Sequence, residues 1–150
     1  MGKRRRAREA AIQYHFWRDL QHDEAPERIE DFWEFCPATE GVREFAQPLI
    51  EGMVAHRDEI DERIRKCCEN YNLNRISAVD RNVLRLAIYE MLYRDDIPPV
   101  VSINEAIELA KTFGGAESGG FVNGILDRVL KDLTRPAREA VSSSPKEGQD

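Results

Sequence analysis

The sequence predicts an all-α fold of about seven helices in a single domain, and three observations carry that prediction. Apolar residues recur at helical spacing along most of the chain, and no segment shows sustained two-residue alternation. Capping and helix-breaking residues divide the chain into segments of helical length. With 150 residues, the chain is also long enough to bury a hydrophobic core.

The first half of the chain divides into four predicted helices. The first runs from about Arg4 to Leu20, and the second from about Glu27 to Phe35. Thr39 is expected to cap the third helix, in which Pro48 should either kink the helix or delay its start. The fourth helix is predicted to extend from about Arg57 to Tyr71.

Three further helices follow in the second half. Ser77, with Asp80 three residues later, is expected to cap a fifth helix that is apolar on most sides. Such a helix should be buried, so we place it at the centre of the fold. Ser102 and Glu105 form a capping-box pattern for the sixth helix, and Ser118 is expected to cap the seventh.

The composition changes near Arg135 and Pro136. The remaining residues are rich in Ser, Glu and Ala, and the last aromatic side chain of the sequence is Phe121. We therefore expect residues 135–150 to form a disordered tail, and residues 1–134 to form the helical domain.

Charge is distributed unevenly along the chain. The 22 basic and 28 acidic residues give a net charge of −6, which argues against general coating of DNA. Yet five of the first eight residues are basic and none is acidic: Lys3, Arg4, Arg5, Arg6 and Arg8. This segment, the arm, could be a solvated start of the chain. Alternatively, because positive charge is unfavourable at a helix N-terminus, the four arginines need negative charge nearby, which a polyanion such as nucleic acid would supply.

The rest of the composition argues against several classes of protein. No run of about 18 apolar residues predicts a membrane span, and no apolar segment follows the arm as in a signal peptide. Cys36, Cys67 and Cys68 contain no CxxC spacing and indicate free thiols in a reducing cytoplasm. His15, His22 and His56 form no metal motif, and no nucleotide-binding or hydrolase motif occurs. We therefore predict no enzyme activity, cofactor or metal.

Two aromatic residues are candidates for stacking on unpaired bases. Phe121 lies about 110° away from the centre of the apolar stripe on the last helix and follows a glycine-rich loop. Stacking on a base and packing under that loop are both open. Phe16 lies nearly opposite the stripe of the first helix, but Ile12 lies near it, so burial and exposure are equally open.

Three segments carry a resemblance to the NusB family of transcription antitermination factors. They are the arm, the sequence DRNVLRLAIYE at 80–90, and VSINEAIELAKTF at 101–113 followed by FVNGILD at 121–127. The resemblance extends from about Lys3 to Leu133. It implies two packed helical bundles and binding of boxA RNA, especially in ribosomal RNA leaders, together with a small-subunit ribosomal protein acting as NusE. It also implies delivery to RNA polymerase with NusA and NusG, and suppression of premature termination.

The resemblance also implies site residues. The arm residues, Phe16, Glu117 and Phe121 fall on positions that contact RNA in the family, and Asp80 falls on an acidic position of the ribosomal-protein face. His15 replaces a leucine of the family pattern, and glycines precede Phe121 where many relatives have a basic residue.

Two other functions remain open at this stage. One is a helical adaptor that forms a homodimer and uses the arm to bind acidic protein surfaces. The other is a stand-alone relative of the NusB-like domain found in RNA cytosine methyltransferases. Because the chain ends before any second domain and contains no glycine-rich nucleotide motif, we do not expect methyltransferase activity.

Overall fold

The computed structural model describes residues 2–20, 29–68, 73–133 and 140, and the part of the chain it describes contains helices and no strand. In chain order the elements are α1 (Lys3–Leu20), α2 (Ile29–Phe35), α3 (Glu40–Ala55), α4 (Arg57–Cys67), a 3₁₀ turn (Leu73–Arg75), α5 (Ala78–Tyr93), α6 (Pro99–Phe113) and α7 (Ser118–Lys131). The prediction of an all-α fold with seven helices is confirmed for these residues.

Helix α5 lies at the centre, as its apolar sequence predicts. All but one of the residues from Asn82 to Met91 are buried. Helices α1 and α3 pack against each other and against α5, forming one bundle. Helices α6 and α7 pack against each other and against α5, and α4 contacts both α5 and α7, forming the second bundle. The central helix therefore belongs to both bundles, which confirms the predicted architecture.

Several helix boundaries follow the local sequence. Thr39 caps α3 by accepting a hydrogen bond from the Val42 amide, and Ser77 caps α5 by accepting one from the Asp80 amide at 3.1 Å. Pro48 lies inside α3, so it does not delay the start of that helix. Gly52 of the same helix leaves room for the Tyr89 ring, since a Cβ there would lie 2.2 Å from it.

Helix α4 is shorter than predicted. It ends at Cys67, whereas the sequence pattern extends it to Tyr71. The Cys68 amide bonds to the Arg65 carbonyl in a tightened last turn, and Arg128 of α7 donates to the Cys67 carbonyl. A tertiary donor therefore satisfies a carbonyl that the next turn of helix would otherwise bond.

The two serine caps predicted for α6 and α7 are wrong. Helix α6 begins at Pro99, where the fixed backbone angle of proline suits the first turn, so Ser102 lies inside the helix. Helix α7 has Glu117, not Ser118, at its cap position, and the Ser118 hydroxyl accepts from the Gly115 amide at 3.0 Å. Ser102 instead donates to Glu90 of α5, whereas Ser118 is used within the α6–α7 loop.

Histidine at position 15 is accommodated in the first bundle without charge. The ring is 1% exposed, and its Nε2 lies 3.2 Å from the Ile50 carbonyl oxygen. Burial lowers the pKa of His15 to about 3. Because a carbonyl oxygen can only accept, this contact requires the proton on Nε2.

A buried ionic network joins the two bundles at the end of α1. The carboxylate of Asp19 accepts hydrogen bonds from Arg57, Arg81, Arg85 and Asn82 at 2.6 to 3.2 Å. Arg85 also forms a bidentate pair with Asp61 of α4 at 2.8 and 3.1 Å. One carboxylate thus connects α1 to α4 and α5.

Some predictions concern residues outside the described ranges. The disordered tail at 135–150 lies outside them except for residue 140, as do the start of α2 near Glu27 and the predicted helix end at Tyr71. In the part of the chain that is described, no helix is long and apolar enough to cross a membrane.

Candidate nucleic-acid interface

The arm folds as the first two turns of α1, and its five cations have different surroundings. Arg8 is the most enclosed, at 3% exposed. Its guanidinium forms a bidentate pair with Glu90 of α5 at 2.7 and 3.0 Å, and the Ser102 hydroxyl donates to the same carboxylate at 2.6 Å. This corrects the expectation that Arg8 faces a polyanion, because its charge is already compensated inside the protein.

Arg5 is held at the boundary with solvent. It donates from Nε and Nη2 to the two oxygens of Glu105, both at 2.9 Å, and its side chain is 37% exposed. Hydrogen bonding from Arg5 holds the pKa of Glu105 below its usual range. Glu105 thus binds an arm arginine instead of completing a capping box for α6.

The other arm cations lie nearer the surface. Lys3 and Arg6 are exposed and Arg4 is half-buried. The guanidinium of Arg4 lies 4.8 Å from the centroid of the Phe45 ring, with Arg94 on the same ring at 5.0 Å. The helical spacing of Phe45 indicates a core residue, so its role as a platform for arginines is visible only in the structure.

Phe16 is half-buried on α1. It lies ten residues beyond Arg6, with Glu9 and Gln13 between them at spacings of three and four, so these four residues share one face of the helix. Phe16 is therefore neither fully buried nor fully exposed, and it lies on the side of the helix that carries the exposed Arg6.

Three other candidate residues meet near the start of α5. Phe121, Glu117 and Asp80 line one hollow of about 500 Å³ between the start of α5 and the α6–α7 loop. Phe121 is half-buried with part of its ring packed on the hydrophobic core, and Glu117 is exposed. The Phe121 ring therefore packs partly on the core and also borders an open hollow.

Asp80 lies in the same hollow as two residues with a different predicted role. The resemblance assigns Asp80 to a protein partner, and Glu117 and Phe121 to RNA. The Oδ1 atom of Asp80 is buried and has no hydrogen-bond partner among the described residues.

The α6–α7 loop is fixed by one close approach. Gly114 ends α6, its amide bonding to the Ala110 carbonyl at 2.8 Å. A Cβ at Gly114 would lie 2.3 Å from the Ser118 hydroxyl oxygen, so a larger residue would displace the loop. Glycine at this position holds the start of α7, and with it Phe121, against the end of α6.

The candidate residues form two groups at opposite ends of α5. Helices α1 and α5 run antiparallel, because Arg8 pairs with Glu90 while Asp19 pairs with Arg81. The arm therefore lies near the end of α5, and Asp80 with Phe121 near its start. Ten residues of helix separate Asp80 from Glu90, a rise of roughly 15 Å. An extended ligand could contact both groups, whereas a small molecule could not.

The described residues present no arrangement suited to catalysis by a metal. Within 2–20, 29–68, 73–133 and 140, no group of three or more His, Cys, Asp or Glu side chains could hold a metal ion. Burial raises the pKa of the Cys36, Cys67 and Cys68 thiols, which disfavours the reactive thiolate. The surface groups are suited to binding.

Comparison with known proteins identifies the family. Residues 5–131 match the model of the NusB family. The transcription antitermination protein NusB of Myxococcus xanthus is 46% identical over 140 residues, covering 91% of this chain and all of that protein. NusB of Syntrophus aciditrophicus is 41% identical over 147 residues, covering 98% of this chain and 91% of that protein.

Solved structures agree with this assignment. T. maritima NusB superposes with a TM-score of 0.78 at 41% identity, covering 96% of this chain and 94% of that chain. A crystal structure of the antitermination factors NusB and NusE in complex with dsRNA contains a chain that superposes with a TM-score of 0.77 at 28% identity. That match covers 89% of this chain and 99% of that one. The chain belongs to the NusB family.

Proposed function

We propose that this chain is a transcription antitermination factor that binds the single-stranded boxA element of ribosomal RNA leaders. Its partner is the small-subunit ribosomal protein that acts as NusE, and the complex acts on RNA polymerase with NusA and NusG. The observation that carries the proposal is the family match over residues 5–131, since relatives of this family are antitermination proteins. A related NusB has been crystallised with NusE and dsRNA, which supports NusE and RNA as binding partners.

The mechanism is recognition without covalent chemistry. Single-stranded RNA is specified through stacked and hydrogen-bonded bases, while phosphate contacts fix its position. We assign the phosphate contacts to Lys3, Arg4, Arg5 and Arg6, and base stacking to Phe121, with Phe16 as a second aromatic contact. Arg8 is excluded from this set because it is buried against Glu90, and it positions the arm instead.

Glu117 and Asp80 belong to the same proposal through their shared hollow beside Phe121. Carboxylates repel phosphate but accept hydrogen bonds from base amino groups, so Glu117 would favour a base edge over the backbone. We assign Asp80, which lines the same hollow, to contact with the ribosomal protein.

The number of phosphate contacts can be read from the salt dependence of binding. With three or four arm cations involved, log K for boxA-like RNA should fall with log salt at a slope of about −2 to −3, at roughly 0.7 per contact. The variant Lys3→Gln/Arg6→Gln should reduce the steepness by about 1.4. Fluorescence anisotropy titrations at several salt concentrations measure both slopes, and an unchanged slope in the variant would remove the arm from the phosphate contacts.

Phe121→Ala is expected to weaken RNA binding by roughly 5- to 150-fold, because stacking of one base contributes about 1–3 kcal/mol. The protein should still fold, since the ring is only half-buried. Anisotropy and a thermal melt followed by circular dichroism measure the two effects separately. Phe35→Ala, which removes an exposed aromatic from α2, is the matched control and should bind RNA normally. Loss of the cooperative melt in Phe121→Ala would make that residue a core element.

The proposed function as a whole is tested by titrating labelled boxA-like RNA with the protein, alone and premixed with its ribosomal partner. A scrambled RNA of equal length is the control. Preference for the boxA-like RNA that strengthens with the partner is the expected result. Equal binding to both RNAs, unchanged by the partner, would instead favour the adaptor function, and light scattering would then show whether the protein is a dimer.

A further inference from the structure

A cleft of about 700 Å³ lies between α4 and α7, and Phe121 lines both this cleft and the hollow that contains Glu117. It is bounded by the last turn of α4, where Lys66 and Cys67 lie, and by the outer face of α7. None of the residues assigned to RNA or partner binding, apart from Phe121, lines this cleft.

Two glycines of α7 form the floor of the cleft. Gly120 and Gly124 lie four residues apart and therefore on the same face of α7. A Cβ built on either glycine would meet no atom within 4 Å. Packing therefore does not require glycine at these positions, and their lack of side chains leaves space above the helix beside the Phe121 ring.

Three basic side chains line the cleft beyond the two glycines. Arg128 and Lys131 continue the same face of α7 at further spacings of four and three residues, and Lys66 faces them from α4. Opposing them among the lining residues is the carboxylate of Asp132. In a chain with a net charge of −6, this cleft is a local site of positive charge.

The cations differ in how firmly they are held. Arg128 donates from Nη1 to the Cys67 carbonyl, which fixes the guanidinium against α4 and uses one of its five donors. The Lys131 side chain is 74% exposed, and its contact with Asp127 at 3.3 Å is a surface pair of small energetic value. Lys131 can therefore turn toward an anion in the cleft at little cost.

The two cavities that share Phe121 thus differ in the sign of their charge. Two carboxylates and one cation line the hollow, namely Asp80, Glu117 and Arg75. Three cations and one carboxylate line the cleft, namely Lys66, Arg128, Lys131 and Asp132. A strand whose base stacks on Phe121 must continue past the ring, and its phosphates are attracted to the more basic cavity. We propose that this cleft is a phosphate-binding subsite for the RNA backbone next to the nucleotide on Phe121. The inference rests on the RNA-binding function proposed above.

The test is the salt dependence of RNA binding by Lys66→Gln/Lys131→Gln. Both side chains are exposed, so the variant should melt like the unaltered protein. With boxA-like RNA and the ribosomal partner present, the slope of log K against log salt should become less steep by about 1.4. The matched control, Arg65→Gln/Lys111→Gln, removes two exposed charges from α4 and α6 outside the cleft lining and should leave the slope unchanged.

The outcomes separate this inference from the function on which it rests. An unchanged slope in the cleft variant, with preference for boxA-like RNA intact, would overturn the subsite and leave the function in place. Equal reduction in the cleft and control variants would also overturn it, because the effect would then reflect net charge. If the unaltered protein does not distinguish boxA-like from scrambled RNA, the proposed function itself fails.

Discussion

Arg8→Met is expected to lower the free energy of unfolding by about 3–5 kcal/mol, the usual cost of breaking a buried ion pair by removing one partner. Arg8 and Glu90 have side-chain exposures of 4% and 1%, so the remaining carboxylate would be buried without its counter-charge. The Ser102 hydroxyl would remain its donor, but a neutral donor does not balance the charge.

Urea denaturation followed by circular dichroism measures this loss. The matched variant is Arg8→Met/Glu90→Met/Ser102→Ala, which replaces the whole polar group by apolar side chains. Because such replacements are often neutral, it should recover most of the lost stability. If Arg8→Met alone costs less than about 1 kcal/mol, well below the usual cost of a broken buried pair, the pair does not hold α1 against α5. Arg8 would then again be a candidate for RNA contact.

Asp19→Asn is expected to cost about 2 to 3 kcal/mol at pH 7 through loss of charge stabilisation. Burial opposes ionisation of Asp19, but Arg85 and Arg57 outweigh it and lower the pKa of this carboxyl to about 2. A depressed pKa contributes stability that is fully present above the unfolded value, which is near 4 for an aspartate. That contribution is lost as the pH falls from about 4 to about 2.

The pH dependence gives this prediction a specific signature. The stability difference between Asp19→Asn and the unaltered protein should be largest at neutral pH and should shrink between about pH 4 and about pH 2. Urea denaturation at neutral pH and at two acidic pH values within that window measures it. Asp58→Asn, which alters an exposed carboxylate of α4, is the control and should cost little at any pH. A difference that stays constant with pH would show that the asparagine substitution acts through side-chain shape, not through charge.

Local sequence predicted most of the fold because the deciding interactions are themselves local. The Thr39 and Ser77 caps involve side chains and amides three residues apart, and the buried character of α5 follows from its own apolar residues. The error at the start of α6 arose because distant residues compete for the same groups. Ser102 and Glu105 have the spacing of a capping box, but Arg5, 100 positions earlier in the chain, recruits Glu105.

The candidate site was predictable in its residue types but not in its arrangement. The clustered arginines and Phe121 are visible in the sequence, yet only the packing of α1 on α3 and α5 shows that Arg8 is internal and Lys3 exposed. The grouping of Asp80 with Phe121 likewise depends on contact between segments far apart in the chain. The sequence does not indicate that Glu90 is the partner of Arg8, since one carboxylate in a long helix is usually exposed.

The proposed antitermination activity is tested most directly by transcription through a terminator placed downstream of a boxA-containing leader. The reaction contains RNA polymerase, NusA, NusG and the ribosomal partner, with or without this protein. Read-through should increase when the protein is added, and the increase should disappear when boxA is scrambled or when Phe121→Ala replaces the unaltered protein. Read-through that does not respond to the protein, or that rises equally on the scrambled leader, would contradict boxA-dependent antitermination.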